Sequence, residues 1–152
     1  MLKRFLTLFI LSLGITFISF AATNGINGIK LELNKSVLKK NEKLCFTLKN
    51  TSNKTVYLPN TAPWVIIGET GKYKGKVVYA PVVAPVITPL KPGEKKQWCW
   101  DLKDFNGFSA PSGKYKVRIT LFKDKNKVFL SKPFEIKPLY SITPEVNEKQ
   151  KH

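Results

Sequence analysis

Few residues in this chain could do chemistry. The only histidine among its 152 residues is the last, His152. Without an internal histidine a Ser–His or Cys–His pair is excluded, because such a nucleophile needs a base within hydrogen-bond reach. Nothing singles out one serine and one lysine for Ser–Lys chemistry. The ten acidic residues fall in turns (Glu42, Glu94, Asp104) or at outward strand positions, and none is marked as a carboxylate pair for glycoside hydrolysis. Asp101, Asp104 and Asn106 precede Gly107 with a spacing that hints at a calcium loop. The later acidic ligand is missing, however, and Asx residues before a glycine are ordinary turn formers. The expectation is a protein that is not an enzyme and needs no metal or cofactor.

The two cysteines, Cys45 and Cys99, offer covalent chemistry of another kind. No C-x-x-C is present, so a redox site is not expected. In 43–48 the apolar set is Leu44, Phe46 and Leu48, which puts Cys45 on the opposite face of a strand. In 97–102 it is Trp98, Trp100 and Leu102, and Cys99 again lies opposite. Two such cysteines can meet on the outer face of neighbouring strands, and in an oxidising compartment an even pair suggests one disulfide. The alternative is two half-buried free thiols.

The compartment is read from the start of the chain. Lys3 and Arg4 precede an apolar run from Phe5 to Phe20, and Ser19-Phe20-Ala21 places small residues where a signal peptidase reads. The run is about 16 residues, short for a membrane span of about 20. We expect a signal helix over 1–21, cleavage near Ala21, and export to the periplasm or the outside of the cell, with 22–28 a flexible start.

Formal net charge is +16, and 24 basic against 10 acidic residues remain beyond Ala21. That excess invites a nucleic-acid reading, but Arg118 is the only arginine in this part. Arginine grips phosphates and base edges bidentately, whereas lysine acts as a hydrated point charge. The lysines are also scattered singly. No specific nucleic-acid partner is expected; weak contact with an anionic lipid or cell-wall surface is compatible with the charge.

The elements that must position anything are strands. Ile29–Leu33, Leu44–Lys49, Thr55–Leu58, Trp64–Ile67, Lys95–Leu102, Tyr115–Leu121 and Val128–Ile136 read as seven, separated by turn residues about every ten positions. Trp98 and Trp100 point inward. In Leu90-Lys-Pro-Gly-Glu94, Pro92 and Gly93 match the central positions of a type II turn. Pro133 suggests a bulge or edge position in the closing strand. The spacing predicts an all-β, immunoglobulin-like sandwich of about seven antiparallel strands over 29–138, with a flexible tail over 139–152.

The segment from Pro59 to Pro89 breaks the rhythm. Trp64 leads a strand, a Gly/Lys-rich hairpin or loop follows, and Pro81, Pro85 and Pro89 recur every fourth residue. An even spacing puts the three prolines on one side of an extended segment. Each lacks an N–H, so the segment is an edge strand or a polyproline-like crossover. Either its valines plug the core, or Pro81, Val82, Val83, Pro85 and Val86 form an exposed ridge that contacts a partner together with Trp64, Tyr73 and Tyr79. The second reading makes these eight residues the candidate binding site.

Leu90-Lys-Pro-Gly-Glu94, the aromatic strand ending Trp100-Asp101, then Gly107, Ala110-Pro111, Gly113 and Tyr115-Lys-Val117 resemble the Bacillus intracellular proteinase inhibitor family and related immunoglobulin-like modules. Cys45 to Leu48, Asn50-Thr51 and Val56-Tyr-Leu58 resemble the first half of that family. The resemblance covers about 31–122 and rests on turn and core residues, so it implies fold more than function. It implies proteinase inhibition as one activity. The middle departs: Trp64-Val-Ile-Ile67 and the spaced prolines stand where the family carries a polar-aromatic segment. The expected function is an exported, non-catalytic module that binds a protein partner. Two alternatives are a proteinase inhibitor of that type and a cationic domain for polyanions or surfaces.

Overall fold

The computed structural model describes residues 28–122 and 128–140. The expected leader, nearly all of the flexible start, the turn at 123–126 and most of the tail lie outside the described residues. Among those residues the fold is all-β, with eleven strands. They are β1 (Ile29–Leu33), β2 (Val37–Lys39), β3 (Leu44–Asn50), β4 (Val56–Leu58), β5 (Trp64–Gly68), β6 (Val77–Tyr79), β7 (Thr88–Leu90), β8 (Lys95–Trp100), β9 (Gly113–Thr120), β10 (Val128–Leu130) and β11 (Phe134–Lys137).

One sheet has the order β1-β3-β8, a second β2-β11-β9-β5-β6 with β10 also on β9, and β4 pairs β7 separately. The seven expected strands are all present. The extra elements arise because 37–39 and 77–79 pair on their own, the proline segment supplies β7, and the closing strand is divided. The division falls at Ser131–Pro133, as Pro133 implied. There Ser131 N–H donates to the Val117 carbonyl, and Val117 N–H donates to the Ser131 hydroxyl oxygen (both 2.9 Å). The side chain thus replaces a ladder acceptor where Pro133 cannot pair. The expectation of purely antiparallel pairing needs correction: β2 runs parallel to β11. The chain leaves the first sheet after β1, turns at Asn34, and joins the second.

The alternating residues of β3 and β9 meet in the core. Trp100 on β8 contacts Tyr115 on β9 and Phe134 on β11, each at 6.2 Å between ring centroids, and Phe46 on β3 contacts Trp64 on β5 at 5.1 Å. These aromatic contacts hold the first sheet against the second, within the range where ring pairs add to simple area burial. Trp98 also faces this core, but β8 is a sheet edge, so it is only half-buried and donates its indole N–H to the Thr61 carbonyl.

The turn at 91–94 closes as the sequence demanded. Gly93 has φ of 80°, and Glu94 N–H donates to the Lys91 carbonyl at 3.0 Å. Asn50, fully buried, locks this turn to the next one: its amide donates to the Leu90 and Lys54 carbonyls while its oxygen accepts from Ser52. A Cβ at Gly93 would meet nothing within 4 Å, so Gly93→Ala carries only the backbone penalty of a positive φ. It is expected to lower stability by about 1 kcal/mol in urea denaturation. A neutral result would mean the turn relaxes to another type.

Candidate functional site

The aromatic end of the molecule is built from the β5–β6 hairpin and the loop between β8 and β9. The hairpin tip is a single 3-10 turn, Gly71–Tyr73. It folds back on Gly68, where any side chain would collide with the Tyr73 carbonyl. That close approach places the Tyr73 hydroxyl 3.0 Å from Asp104 Oδ2, to which it donates. The Lys72 ammonium lies 4.7 Å from the centre of the Tyr73 ring.

Asp104 organises the facing loop. Its Oδ1 accepts from the backbone N–H groups of Asn106 (2.9 Å) and Phe108 (3.1 Å). Its own N–H donates to the Phe108 carbonyl, and its carbonyl accepts from Gly107 N–H. Burial pushes its carboxyl pKa up, but the hydrogen bonds from Tyr73, Asn106 and Phe108, with the charge of Lys72, outweigh that and hold it below the ordinary aspartate value. The Asp-x-Asn spacing read as a calcium hint is therefore an Asx-type turn whose carboxylate is already occupied. Among the described residues no group of three or more His, Cys, Asp or Glu could hold a metal ion. Leu102 enters the loop at φ of 61°, buried, and Ala110 N–H closes it onto the Leu102 carbonyl at 2.7 Å. Phe105 and Phe108 point to solvent from this frame, 60% and 71% exposed.

The eight expected contact residues separate on folding. Trp64 needs correction: it is 5% exposed, packed between Phe46 and Tyr79, with its indole N–H buried and without an acceptor among the described residues. It leads a strand flanked by two partners in the second sheet, so its ring goes into the core and offers a partner no surface. Tyr73 and Tyr79 are half-buried, and Tyr79 bridges Trp64 to Phe105 with ring centroids 5.6 and 6.0 Å away. Pro81 is half-buried and Pro85 exposed. Val82 is fully exposed, with Val83, Val86 and Ile87 also exposed, so these valines form a ridge and do not plug the core. The segment 80–87 carries no strand ladder, and Pro89 instead lies in β7 opposite Tyr57. Ile87, Phe105 and Phe108 were missed. The available signal was a phenylalanine on each side of Asn106-Gly107.

Cys45 and Cys99 are directly opposed on β3 and β8 and joined, with Cα atoms 4.0 Å apart. Cys99 is exposed and Cys45 half-buried, so the bridge lies on the outer face as the strand parity required. Asn34 caps the same place, accepting from Cys45 N–H through Oδ1 and donating its own N–H to the Cys45 carbonyl. A disulfide fits a compartment outside the cytoplasm. Among the described residues no helix is long and apolar enough to cross a membrane.

Tyr115, buried at the start of β9, donates its hydroxyl to the Pro111 carbonyl at 2.6 Å. Burial, aided by nearby Tyr73, pushes its pKa up to about 12. The neutral phenol is thus favoured in the folded chain, and its contribution is complete below the ordinary tyrosine value of about 10 and lost as pH rises towards 12. Ultraviolet phenolate absorbance should show a tyrosine step near 12 that Tyr115→Phe removes, with stability falling in that window. The absence of any tyrosine step near 12 that Tyr115→Phe removes would disprove this.

No model of a known protein family matches the chain, and no curated protein matches its sequence. Among solved structures it is similar to an alkylpurine DNA glycosylase from Pseudomonas fluorescens (14% identity, TM-score 0.45), covering 76% of this chain and 32% of that one. It is similar to a β-glucosidase from Erythrobacter marinus (11% identity, TM-score 0.44), covering 70% of this chain and 15% of that one. A human PapD-like domain matches at 14% identity and TM-score 0.31, over 82% of this chain and 94% of its own. The chain thus spans a third or less of the two enzymes, and likenesses this distant carry no argument about its activity.

Proposed function

We propose that the chain is an exported, non-catalytic immunoglobulin-like β-sandwich that binds a protein partner in the periplasm or outside the cell. The immunoglobulin-like reading is supported by three features: two facing sheets, antiparallel except for β2 on β11, a buried tryptophan on β5, and a tyrosine at the start of β9 whose hydroxyl bonds four residues back. The bridge differs from the inter-sheet disulfide of antibody domains, since it joins neighbours within one sheet.

One observation carries the binding role. Val82, Val83, Val86 and Ile87 are all exposed within a segment of six residues that also holds Pro85. Proline limits the conformations lost on docking, and clustered aliphatics supply the area. The test places a photo-crosslinking residue at Val82 and, as control, at Lys49, in cells that export the protein. A discrete protein adduct at Val82, absent at Lys49 and abolished by Val86→Asp, is expected. Adducts equal at both positions would sink the reading.

The inhibitor reading has its own supporting observation, a proline-stiffened exposed segment able to enter a protease cleft. Titration of the oxidised chain from Ala22 against serine proteases separates the two. A sharp stoichiometric loss of protease activity, relieved by Val82→Asp, assigns inhibition. Unchanged protease activity, with the chain undigested, leaves the binding module.

A further inference from the structure

The loop carrying Phe105 and Phe108 is a separate feature from the ridge. Two large aromatic side chains are held in water by a frame whose polar groups are already used. Asp104 accepts from Tyr73 and from two backbone N–H groups, and the loop closes at Lys103 opposite Ser109. Both rings project from a fixed turn, so little freedom is left to lose when they are buried.

The charge around them is positive. Lys72, Lys74 and Lys76 lie within five residues on the hairpin that Tyr73 ties to this loop, all exposed, and Lys103 lies in the loop itself. Their local counter-charges are Asp104, occupied as above, Asp101, 3.6 Å from Lys103, and Glu69, 3.0 Å from Lys116. None of Lys72, Lys74 and Lys76 is in an ion pair among the described residues. A protein interface disfavours lysine at its centre. A bilayer interface suits both groups: aromatic rings settle at headgroup depth, and lysine stems lie along apolar surface with their ammonium groups at the phosphates.

We infer that this end of the molecule docks on a bilayer bearing anionic headgroups, with Phe105 and Phe108 entering the interface and Lys72, Lys74 and Lys76 against the phosphates. The excess of basic residues beyond Ala21 favours the same encounter over the whole molecule.

The experiment uses the oxidised chain from Ala22. Among the described residues every core residue lies between Ile29 and Ile136, so this chain keeps that core and lacks the apolar run from Phe5 to Phe20. It is sedimented with phosphatidylcholine vesicles with and without phosphatidylglycerol, at low and moderate salt. Binding should require phosphatidylglycerol and fall with salt. Phe105→Ala and Phe108→Ala should each weaken it about ten-fold, and Lys72→Gln, Lys74→Gln and Lys76→Gln together about a hundred-fold. Both phenylalanines are exposed, so these variants should fold. Phe108→Trp should shift its emission to the blue on vesicles. Equal binding to pure phosphatidylcholine, indifference to both alanine substitutions, or an unshifted Phe108→Trp emission would each overturn the inference. So would a protein adduct from a crosslinker at Phe108 without vesicle binding. Val82→Asp should leave vesicle binding unchanged, so failure of the ridge and failure of this loop are read separately.

Discussion

Replacing Cys45 and Cys99 together by serine is expected to lower stability by about 4 kcal/mol. The two residues are 54 apart in sequence, and in the chain-entropy account the bridge removes the freedom of that loop from the unfolded chain. The folded state should survive the substitution. The β3–β8 register is also set by the apolar pairs Leu44–Trp100 and Phe46–Trp98 on the core face, and a slip of one residue would turn those side chains outward. Urea denaturation of oxidised and serine forms should therefore show the same folded signal and a much lower midpoint. A small domain has about 5–15 kcal/mol in all, so a loss of this size leaves a substantial unfolded fraction on warming. A change below about 1 kcal/mol would refute the argument and mean that the unfolded chain stays constrained near these strands without the bridge.

Trp100→Ala is expected to cost about 3–5 kcal/mol, the usual range for removing a large buried aromatic. Trp100 is 1% exposed and meets Tyr115 and Phe134 from across the core. Its indole N–H donates to the Lys103 carbonyl at 2.8 Å, so truncation also strips a donor from the start of the Asp104 loop. Trp98→Ala should cost clearly less, because Trp98 is half-buried at the sheet edge. Chemical denaturation of both variants checks this, and equal losses would contradict the burial difference. Trp100 adjoins Cys99, so the Trp100 and cysteine losses should not add in a combined variant. Tighter proteolysis at 103–109 than elsewhere in Trp100→Ala would show that the loop depends on this hydrogen bond.

How much was legible in the sequence follows from the range of the forces involved. The alternation Tyr115, Val117, Ile119 places three side chains on one face whatever the partner strand, and all three are buried on β9. The parity of Cys45 and Cys99 against their apolar neighbours is equally local, and it placed the bridge on the outer face. Pro92-Gly93 selected its turn by dihedral preference alone. The ridge left two readings open in the sequence, because exposure of Val82 depends on whether another layer covers it, and none among the described residues does.

Trp64 shows the limit from the other side. Its strand was legible, but which of its faces would be covered was not, since that depends on Phe46 and Tyr79 arriving from β3 and β6. Asp104 was read as part of a weak cation motif, and its actual partner, Tyr73, lies 31 residues away. The parallel seating of β2 on β11 joins residues about a hundred positions apart and has no local signature.

The sequence by itself thus determined most of the β-strands, the key turns and the outer face that the two cysteines share, because pleat period, proline and glycine dihedrals and side-chain parity act within a few residues. Only the tertiary structure decided which aromatics are core and which are surface: it buried Trp64, joined Tyr73 to Asp104, and left Phe105 and Phe108 in water. Burial is a property of what packs on top of a residue, and in this fold that neighbour comes from a distant part of the chain.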